Sequence, residues 1–294
     1  MAKARALDKR RKSIRSIRKI TRTMELVATA QFRRALDRAV SAGAYTQRIA
    51  ALVADLAAAG TSVSHPLLEE RNGKDAAALL VLTANRGMCG GYNSSILRMA
   101  HARALELQDE YGRLDILMSG KRGIAFMKDR EISMSQSFSH FNDKPSFEEV
   151  SVLADQLLAD YLAGKIDRLE VSYMKFVSVS KQVPATETLL PLSQLDSGVQ
   201  ATDGAKVNND YEFLPSPESI LEEVVPTAFR VKLFKCFLDA AVGEQIARRV
   251  AMKAATENAD SMISTLTTTY NRARQGQITN EIIEVVSGAS ALES

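Results

Sequence analysis

Apolar residues recur at the spacing of an α-helix along the last part of the chain. Between Thr227 and Gly288 there is no proline, and most apolar positions follow one another at intervals of three or four residues. They are Val231, Phe234, Leu238, Val242, Ile246, Val250, Met262, Ile263, Leu266, Ile278, Ile282, Ile283, Val285 and Val286. The pattern predicts one helix of about 60 residues, roughly 90 Å long. Because a helix of that length cannot lie against one globular core, it needs a second long helix as its partner.

Residues 4–58 supply that partner. Ile14, Ile17, Ile20, Met24 and Val27 are separated by steps of three or four and predict the face that packs. This helix is expected to be roughly 80 Å long, close to the length of the C-terminal one. Matched helices at the two ends of a chain predict an antiparallel coiled coil.

The beginning of the C-terminal helix has its own signals. Ser216 is predicted to be the N-cap, with Pro217 at the first helical position. Pro226 is expected to kink or restart the helix before the long uninterrupted stretch begins.

Residues 61–214 have a different pattern, in which short apolar runs alternate with helical ones. Strands are predicted at 76–83, 114–119, 132–138, 168–177 and 184–192, and helices at 93–111, 123–128 and 146–163. This alternation is typical of an open, Rossmann-like α/β sheet. The predicted fold class is therefore α/β: a long antiparallel two-helix coiled coil with an inserted α/β domain. The predicted bounds are 1–60 for the first helix, 61–214 for the inserted domain and 215–294 for the second helix.

Charge is distributed unevenly along the chain. The formal net charge is +3, yet residues 1–40 hold thirteen Lys or Arg against three acidic residues. Two interpretations of this basic helix stay open, a solvated surface or contact with an acidic partner. Two cysteines are too few for a disulfide framework or a zinc site, which favours a reducing compartment. No apolar run approaches the roughly twenty residues that cross a bilayer, so membrane association is expected only through a partner.

Candidate chemistry is sparse. The turn Asn85-Arg-Gly-Met-Cys-Gly-Gly-Tyr-Asn follows a predicted strand and opens a helix, where backbone N–H groups could cradle a phosphate. It lacks the dinucleotide glycine spacing and the P-loop ending, so a tight strand-to-helix turn is favoured. Cys89 has no histidine near it in the sequence and is predicted to be a buried, inert thiol. We predict no catalytic residues, no cofactor site and no metal site.

Five stretches carry a resemblance to a known family. They are Ser13-Ile-Arg-Ser-Ile-Arg-Lys-Ile-Thr-Arg-Thr-Met-Glu-Leu-Val-Ala, Gly87-Met-Cys-Gly-Gly-Tyr-Asn, Ala251-Met-Lys-Ala-Ala-Thr-Glu-Asn, Tyr270-Asn-Arg-Ala-Arg-Gln and Ile278-Thr-Asn-Glu-Ile-Ile-Glu-Val-Val-Ser-Gly-Ala. Together they resemble the gamma subunits of the F1 part of bacterial-type ATP synthase. Arg11, Gln31 and Arg249 depart from the family pattern at single positions. The inserted domain also lacks the cysteine pair of the redox-switched chloroplast members.

The resemblance implies a mechanical, non-catalytic role. In this family the helix pair is the central shaft inside a ring of alpha and beta subunits, and the inserted domain is a foot on the epsilon subunit and the membrane ring of c subunits. The shaft couples proton flow to ATP synthesis or hydrolysis. The implied location is the cytoplasmic face of the bacterial inner membrane, with one copy in each complex and no nucleic acid partner.

The resemblance also assigns contact residues. Arg274 and Gln275 are expected to bind a loop of one beta subunit, and Thr279 and Glu281 to lie on the same upper shaft. Met24 and Arg248 are expected to contact acidic segments of beta. The apolar tip from Ile278 to Val286 is expected to lie in an apolar sleeve. Tyr211 and Glu212 are expected to contact the c ring or epsilon.

Two other classes of function remain as alternatives. A basic coiled coil that binds nucleic acid would use the charge of residues 3–22 and show steeply salt-dependent affinity, but residues 3–22 contain no aromatic side chain for base stacking. An α/β enzyme that uses the Gly87 turn would bind a nucleotide as an isolated chain.

Overall fold

The computed structural model describes residues 2–58, 65–69, 71, 73–141, 144–192 and 217–293. In chain order the elements are α1 (Ala2–Ala58), β1 (Ala76–Leu82), α2 (Tyr92–Glu110), β2 (Arg113–Ser119), α3 (Lys121–Asp129), β3 (Gln136–Phe138), α4 (Phe147–Leu162), β4 (Arg168–Phe176), β5 (Gln182–Leu190) and α5 (Pro217–Glu293). The predicted order of helices and strands is confirmed.

The chain divides into two compact units. The sheet unit is Gln31–Ala247, and the helical unit combines Met1–Ala30 with Arg248–Ser294. Each long helix contributes residues to both units. The three-domain division drawn from the sequence stays a prediction.

The sheet unit contains a five-stranded sheet in the order β3-β2-β1-β4-β5. The first four strands are parallel, and β5 runs antiparallel to β4. All seven residues of β1 are buried, as expected for a parallel strand covered on both faces. Successive connections move outward from β1 to β2 and β3, whereas β4 lies on the other side of β1. The strand order therefore reverses between β1 and β4.

Alternate residues of β1 enter two different cores. Leu80 packs in a cluster with Leu157 of α4 and Phe229 of α5. Leu79 packs in a second cluster with Ile96 of α2. Helices therefore cover both faces of the sheet, which confirms the open α/β interpretation.

Strand β3 is shorter than predicted. The sequence predicted residues 132–138, but the strand covers only Gln136–Phe138. Glu131 has a positive φ of 56°, and the Ile132 N–H donates to the Met127 carbonyl at 3.0 Å. These residues still close the end of α3, so the strand begins after them.

The helical unit is an antiparallel helix pair. Arg18 forms an ion pair with Asp260, and the Thr256 hydroxyl donates to the Thr21 hydroxyl at 2.9 Å. The Arg11 guanidinium lies 4.7 Å from the centre of the Tyr270 ring. Contact positions rise along α1 as they fall along α5, which confirms the predicted direction.

The face that packs in the helical unit differs from the one predicted. Ile17, Ile20 and Val27 were expected in the seam, but they are 48%, 59% and 50% exposed. Among the described residues of the helical unit, the buried positions of α1 are instead Thr21 and Ala28, opposite a segment of α5 that buries Met252, Thr256 and Ala259. Small side chains let two helices pack closer together than isoleucine does. The hydrogen bond between the Thr21 and Thr256 hydroxyls also satisfies these two buried polar groups across the seam.

Pro226 does not restart α5, because the helix continues through it. Proline cannot donate the hydrogen bond that would reach the Glu222 carbonyl. The Thr227 hydroxyl donates to the next carbonyl, that of Glu223, at 2.9 Å, which supplies a local polar contact beside the interruption. The predicted N-cap, Ser216, lies outside the described residues.

Candidate functional site

Four predicted contact residues lie on the last turns of α5 in the helical unit. Arg274, Gln275, Thr279 and Glu281 are all exposed. The Thr279 hydroxyl donates to the Gln275 carbonyl at 3.0 Å, and the Gln277 amide donates to the Glu281 carboxylate at 2.8 Å. Helical spacing places Arg274 and Glu281 on one face and Gln275 and Thr279 on another. The helix therefore offers polar groups in two directions.

A basic groove lies beside Arg274 in the helical unit. Its volume is about 540 Å³, and it is lined by Arg5, Lys9, Lys12 and Arg274 but only one carboxylate, Asp8. Hydrogen bonds from Lys12 and Arg11 lower the pKa of Asp8 below its ordinary value. Four cations in one open groove suit an acidic segment. The sequence pointed to Arg274 and to the basic face of α1 separately. It did not bring Lys9 and Lys12 beside Arg274, although the antiparallel pairing signal could have done so.

Between Ile278 and Val286, α5 carries a cluster of exposed apolar side chains. Ile278, Ile282, Ile283, Val285 and Val286 are between 44% and 72% exposed. Clustered apolar side chains on a surface mark an interaction site.

The other predicted contacts have different surroundings. Met24 is half-buried, beside the exposed Ile20 and Val27 of the same helix. Arg248 is only 6% exposed, so a partner reaches its side chain only after it moves. Tyr211 and Glu212 lie outside the described residues.

Two asparagines, one at each end of the glycine-rich turn, hydrogen-bond it to the surrounding sheet unit. The Asn85 amide donates to the Phe141 carbonyl at 2.5 Å, and its side-chain oxygen accepts from the Lys121 N–H at 3.0 Å. The Asn93 side-chain oxygen accepts from the Ala84 N–H at 2.9 Å. Met88 and Gly90 have positive φ values of 61° and 55°. The asparagines that border the turn thus fix its backbone, as a tight strand-to-helix turn requires.

Both cysteines are buried. The Cys89 sulfur accepts a hydrogen bond from the Asn93 amide at 3.2 Å. Burial raises the pKa of the Cys236 thiol well above its ordinary value. A protonated thiol is a poor nucleophile, so Cys236 is a packing residue.

A buried ionic network links α2 to the sheet. Arg103 donates through two nitrogens to the two carboxylate oxygens of Glu170, at 2.8 and 2.9 Å, and Arg168 donates to one of them at 2.6 Å. Burial acts to raise the pKa of Glu170, but the hydrogen bonds from Arg103 and Arg168 outweigh it and lower the pKa below its ordinary 4.5. The network holds the sheet unit together and opens on no cleft that we identify among the described residues.

The described ranges contain no group of three or more His, Cys, Asp or Glu side chains that could hold a metal ion. Across those ranges no helix is long and apolar enough to cross a membrane.

Similarity to known proteins covers the whole length of the chain. The family model for ATP synthase matches residues 3–292. The ATP synthase gamma chain of Rhodopirellula baltica is 58% identical over 295 residues, which cover 100% of both chains. The chain belongs to the ATP synthase gamma chain family. The gamma chain of Leptospira biflexa is 37% identical over 292 residues, covering 99% of this chain and 100% of the relative.

Solved structures share the gamma chain fold. A chain of the Euglena gracilis mitochondrial ATP synthase, in an assembly of OSCP, F1 and c-ring, has a TM-score of 0.68 at 17% identity, covering 99% of this chain and 95% of that one. A chain from the rotor of the same synthase has a TM-score of 0.63 at 18% identity, covering 94% and 99%. This gamma chain is therefore a non-catalytic subunit of the F1 part of ATP synthase, and its partners are other subunits of that complex.

Proposed function

We propose that this gamma chain is the central rotor shaft that couples proton flow through the membrane c ring to ATP synthesis or hydrolysis at the alpha/beta hexamer. The observation that carries the proposal is the helical unit. It is an antiparallel helix pair whose final segment, from Ile278 to Val286, is apolar and exposed. Such a segment suits an apolar sleeve, where few directional bonds resist rotation.

The upper contacts of the shaft follow from its exposed polar groups. Arg274 and Gln275 bind a loop of one beta subunit, and the basic groove beside Arg274 favours an acidic loop. Thr279 and Glu281 contact the hexamer on the same stretch.

The lower contacts are Met24 and Arg248 with acidic segments of beta. Lysines and arginines attract such segments over several ångströms without one fixed pairing, which suits a surface that slides. Because Arg248 is buried, its part in this contact depends on a side-chain movement.

The remaining predicted contacts are those with the membrane partners. Tyr211 and Glu212 contact the c ring or the epsilon subunit in this proposal, and one copy serves each complex. The complex lies on the cytoplasmic face of the bacterial inner membrane, with this chain attached only through its partners.

Coupling follows from asymmetry. One shaft cannot make identical contacts with three beta subunits, so each is biased toward a different conformation and nucleotide affinity. Rotation of the shaft passes these states around the ring, and nucleotide binding turns the shaft by the same coupling free energy.

Reconstitution tests the proposal. The purified chain is mixed with alpha and beta subunits, ATP hydrolysis is followed, and an optical probe on the sheet unit reports rotation. One chain per hexamer with stepwise rotation is the expected result. If no complex forms with alpha and beta subunits that are competent to assemble, the rotor role is excluded. Nucleic acid would then be the next partner to test.

A double substitution tests the upper contacts. Arg274→Ala with Gln275→Ala should lower turnover about tenfold or more while the amount of assembled complex changes less, because charged hydrogen bonds at such a contact are worth about 1.5–3 kcal/mol. Arg272→Ala, which removes an exposed arginine from another face of α5, is the matched control. Equal losses in both variants would place the contact elsewhere.

A further inference from the structure

The glycine-rich turn has no role in the function proposed so far. It follows β1, next to the point where the strand order of the sheet reverses. In open α/β sheets the crevice at the carboxyl ends of the strands on either side of such a point is the usual ligand site. In this sheet unit, α5 crosses that crevice.

A tyrosine at the end of the turn holds α5. The Tyr92 hydroxyl donates to the Ala240 carbonyl of α5 at 3.0 Å, and Tyr92 is only 3% exposed. Tyr92 is the first residue of α2, directly after Gly90 and Gly91. The tight turn therefore sets where this hydroxyl meets α5.

A glycine lets α5 approach the sheet closely. A Cβ atom at Gly243 would lie 2.9 Å from Cγ of Met174 in β4 and 3.5 Å from the Tyr92 ring. Glycine is unfavourable inside a helix relative to alanine, so close approach is what glycine provides at this position. Gly276 of the same helix has no neighbour within 4 Å of such an atom.

A third contact holds α5 against the sheet unit. The Phe237 ring centre lies 4.7 Å from that of Phe141, which follows β3. Residues 237, 240 and 243 are three apart, so they lie along one stripe of α5. They meet three separate parts of the sheet unit. The cavity that Phe237 and Ala240 line at the carboxyl ends of β1 and β2 is about 40 Å³, far below the volume of a nucleotide site.

We propose that Tyr92 and Gly243 are positioning residues of a torque clamp, which fixes α5 to the sheet so that force on the sheet unit turns the shaft. The proposal rests on the rotor function proposed above. A helix held along one stripe at three points cannot roll about its axis without breaking a contact. The crevice that other α/β proteins use for a ligand is occupied in this chain by its own helix.

The test is a measurement of torsional stiffness in the reconstituted complex. The hexamer is fixed to a surface, and a gold rod is attached through Lys128→Cys, an exposed position on α3. Both native cysteines of this chain are buried, so Lys128→Cys is the one place on it where the rod attaches. While the enzyme waits for ATP, Tyr92→Phe and Gly243→Ala should each widen the angular distribution of the rod, whereas Gly276→Ala should leave its width unchanged.

Hydrogen exchange gives a second readout in the same complexes. Tyr92→Phe removes the hydrogen bond to the Ala240 carbonyl. Because one hydrogen bond typically contributes about 1 kcal/mol, amide exchange around residues 240–247 should become about fivefold faster. Met174→Ala, added to Gly243→Ala, should bring the angular width part of the way back, because it removes the Met174 Cγ at 2.9 Å from the new Cβ but keeps the Met174 Cβ at 3.2 Å.

The outcomes separate the two proposals. A chain with its natural Tyr92 and Gly243 that does not rotate would overturn the rotor function. Rotation with original widths in both clamp variants would leave the rotor intact and overturn the clamp. If Gly243→Ala does not assemble, Tyr92→Phe decides alone, since it keeps the ring and removes only the hydroxyl.

Discussion

Glu170 is a side chain on which the sheet unit depends. It is 2% exposed and accepts hydrogen bonds from Arg103 and Arg168. Glu170→Gln removes the charge that both guanidinium groups face. The free energy of unfolding should fall by about 3 kcal/mol at neutral pH, because breaking a buried ion pair leaves charge uncompensated. Denaturant unfolding of the isolated chain measures the change.

The contribution of Glu170 to stability should also depend on pH. The pKa of Glu170 is lowered in the folded chain, so its contribution to stability is present above the ordinary value of 4.5 and is lost as the pH falls through the lowered one. Glu170→Gln should flatten that part of the pH profile. Glu257→Gln is the matched control, because its pair with Lys253 is long, at 3.9 Å, and exposed. Equal effects of the two substitutions would contradict the assignment.

At the scale of elements, the helix pair depends on small side chains. Ala259 is 4% exposed in the seam, whereas Ala254 on the same helix is exposed. Ala259→Leu should destabilise the helical unit by about 1–3 kcal/mol, because overpacking forces the helices apart. Ala254→Leu should change stability by less than about 0.5 kcal/mol. Thermal unfolding followed by circular dichroism compares them, and a neutral Ala259→Leu would show that the seam is loose.

The elements were more predictable than their contacts. Helical and strand periodicity located α1, α5 and the alternating βα elements, because backbone geometry imposes those spacings locally. Periodicity could not tell that Thr21 and Ala28 face α5 while Ile17 and Ile20 do not. The apolar surface of α1 is wider than the strip that one partner helix can cover. Which part of that surface is covered depends on how closely α5 approaches, and the sequence does not give that distance.

At the scale of the whole molecule, the exposed end of α5 should be required for coupling. A chain that ends at Gln277 loses the apolar residues from Ile278 to Val286. Burial of one such side chain in a sleeve is worth about 1.5 kcal/mol, so the loss of several should weaken assembly more than tenfold. ATP-driven proton pumping per assembled complex is the measurement.

The truncation has a control that keeps the length of the helix. Ile282→Ser with Ile283→Ser retains every residue of α5 but replaces two exposed apolar side chains. It should lower coupling in the same direction, and the sheet unit should unfold at its usual temperature in both chains. Full coupling in the shortened chain would contradict the proposal that the segment from Ile278 to Val286 turns in an apolar sleeve.

The candidate site was only partly accessible from the sequence. Family resemblance named Arg274 and Gln275, which lie exposed on α5. The lysines beside Arg274 come from the other end of the chain, and only the helix pairing brings them there. The role of Gly243 depends on a distance to β4 that no local pattern encodes.

The helix pair joins parts of the chain that are synthesised at different times. Arg18 and Asp260 are 242 residues apart, and Thr21 and Thr256 are 235 apart. At the usual ribosomal rate, residue 21 waits roughly 10–50 s for its partner to emerge. Throughout that interval the apolar side chains of the first helix have no partner helix from their own chain. The first thirty residues therefore reach their packed surroundings only after the end of the chain has been synthesised.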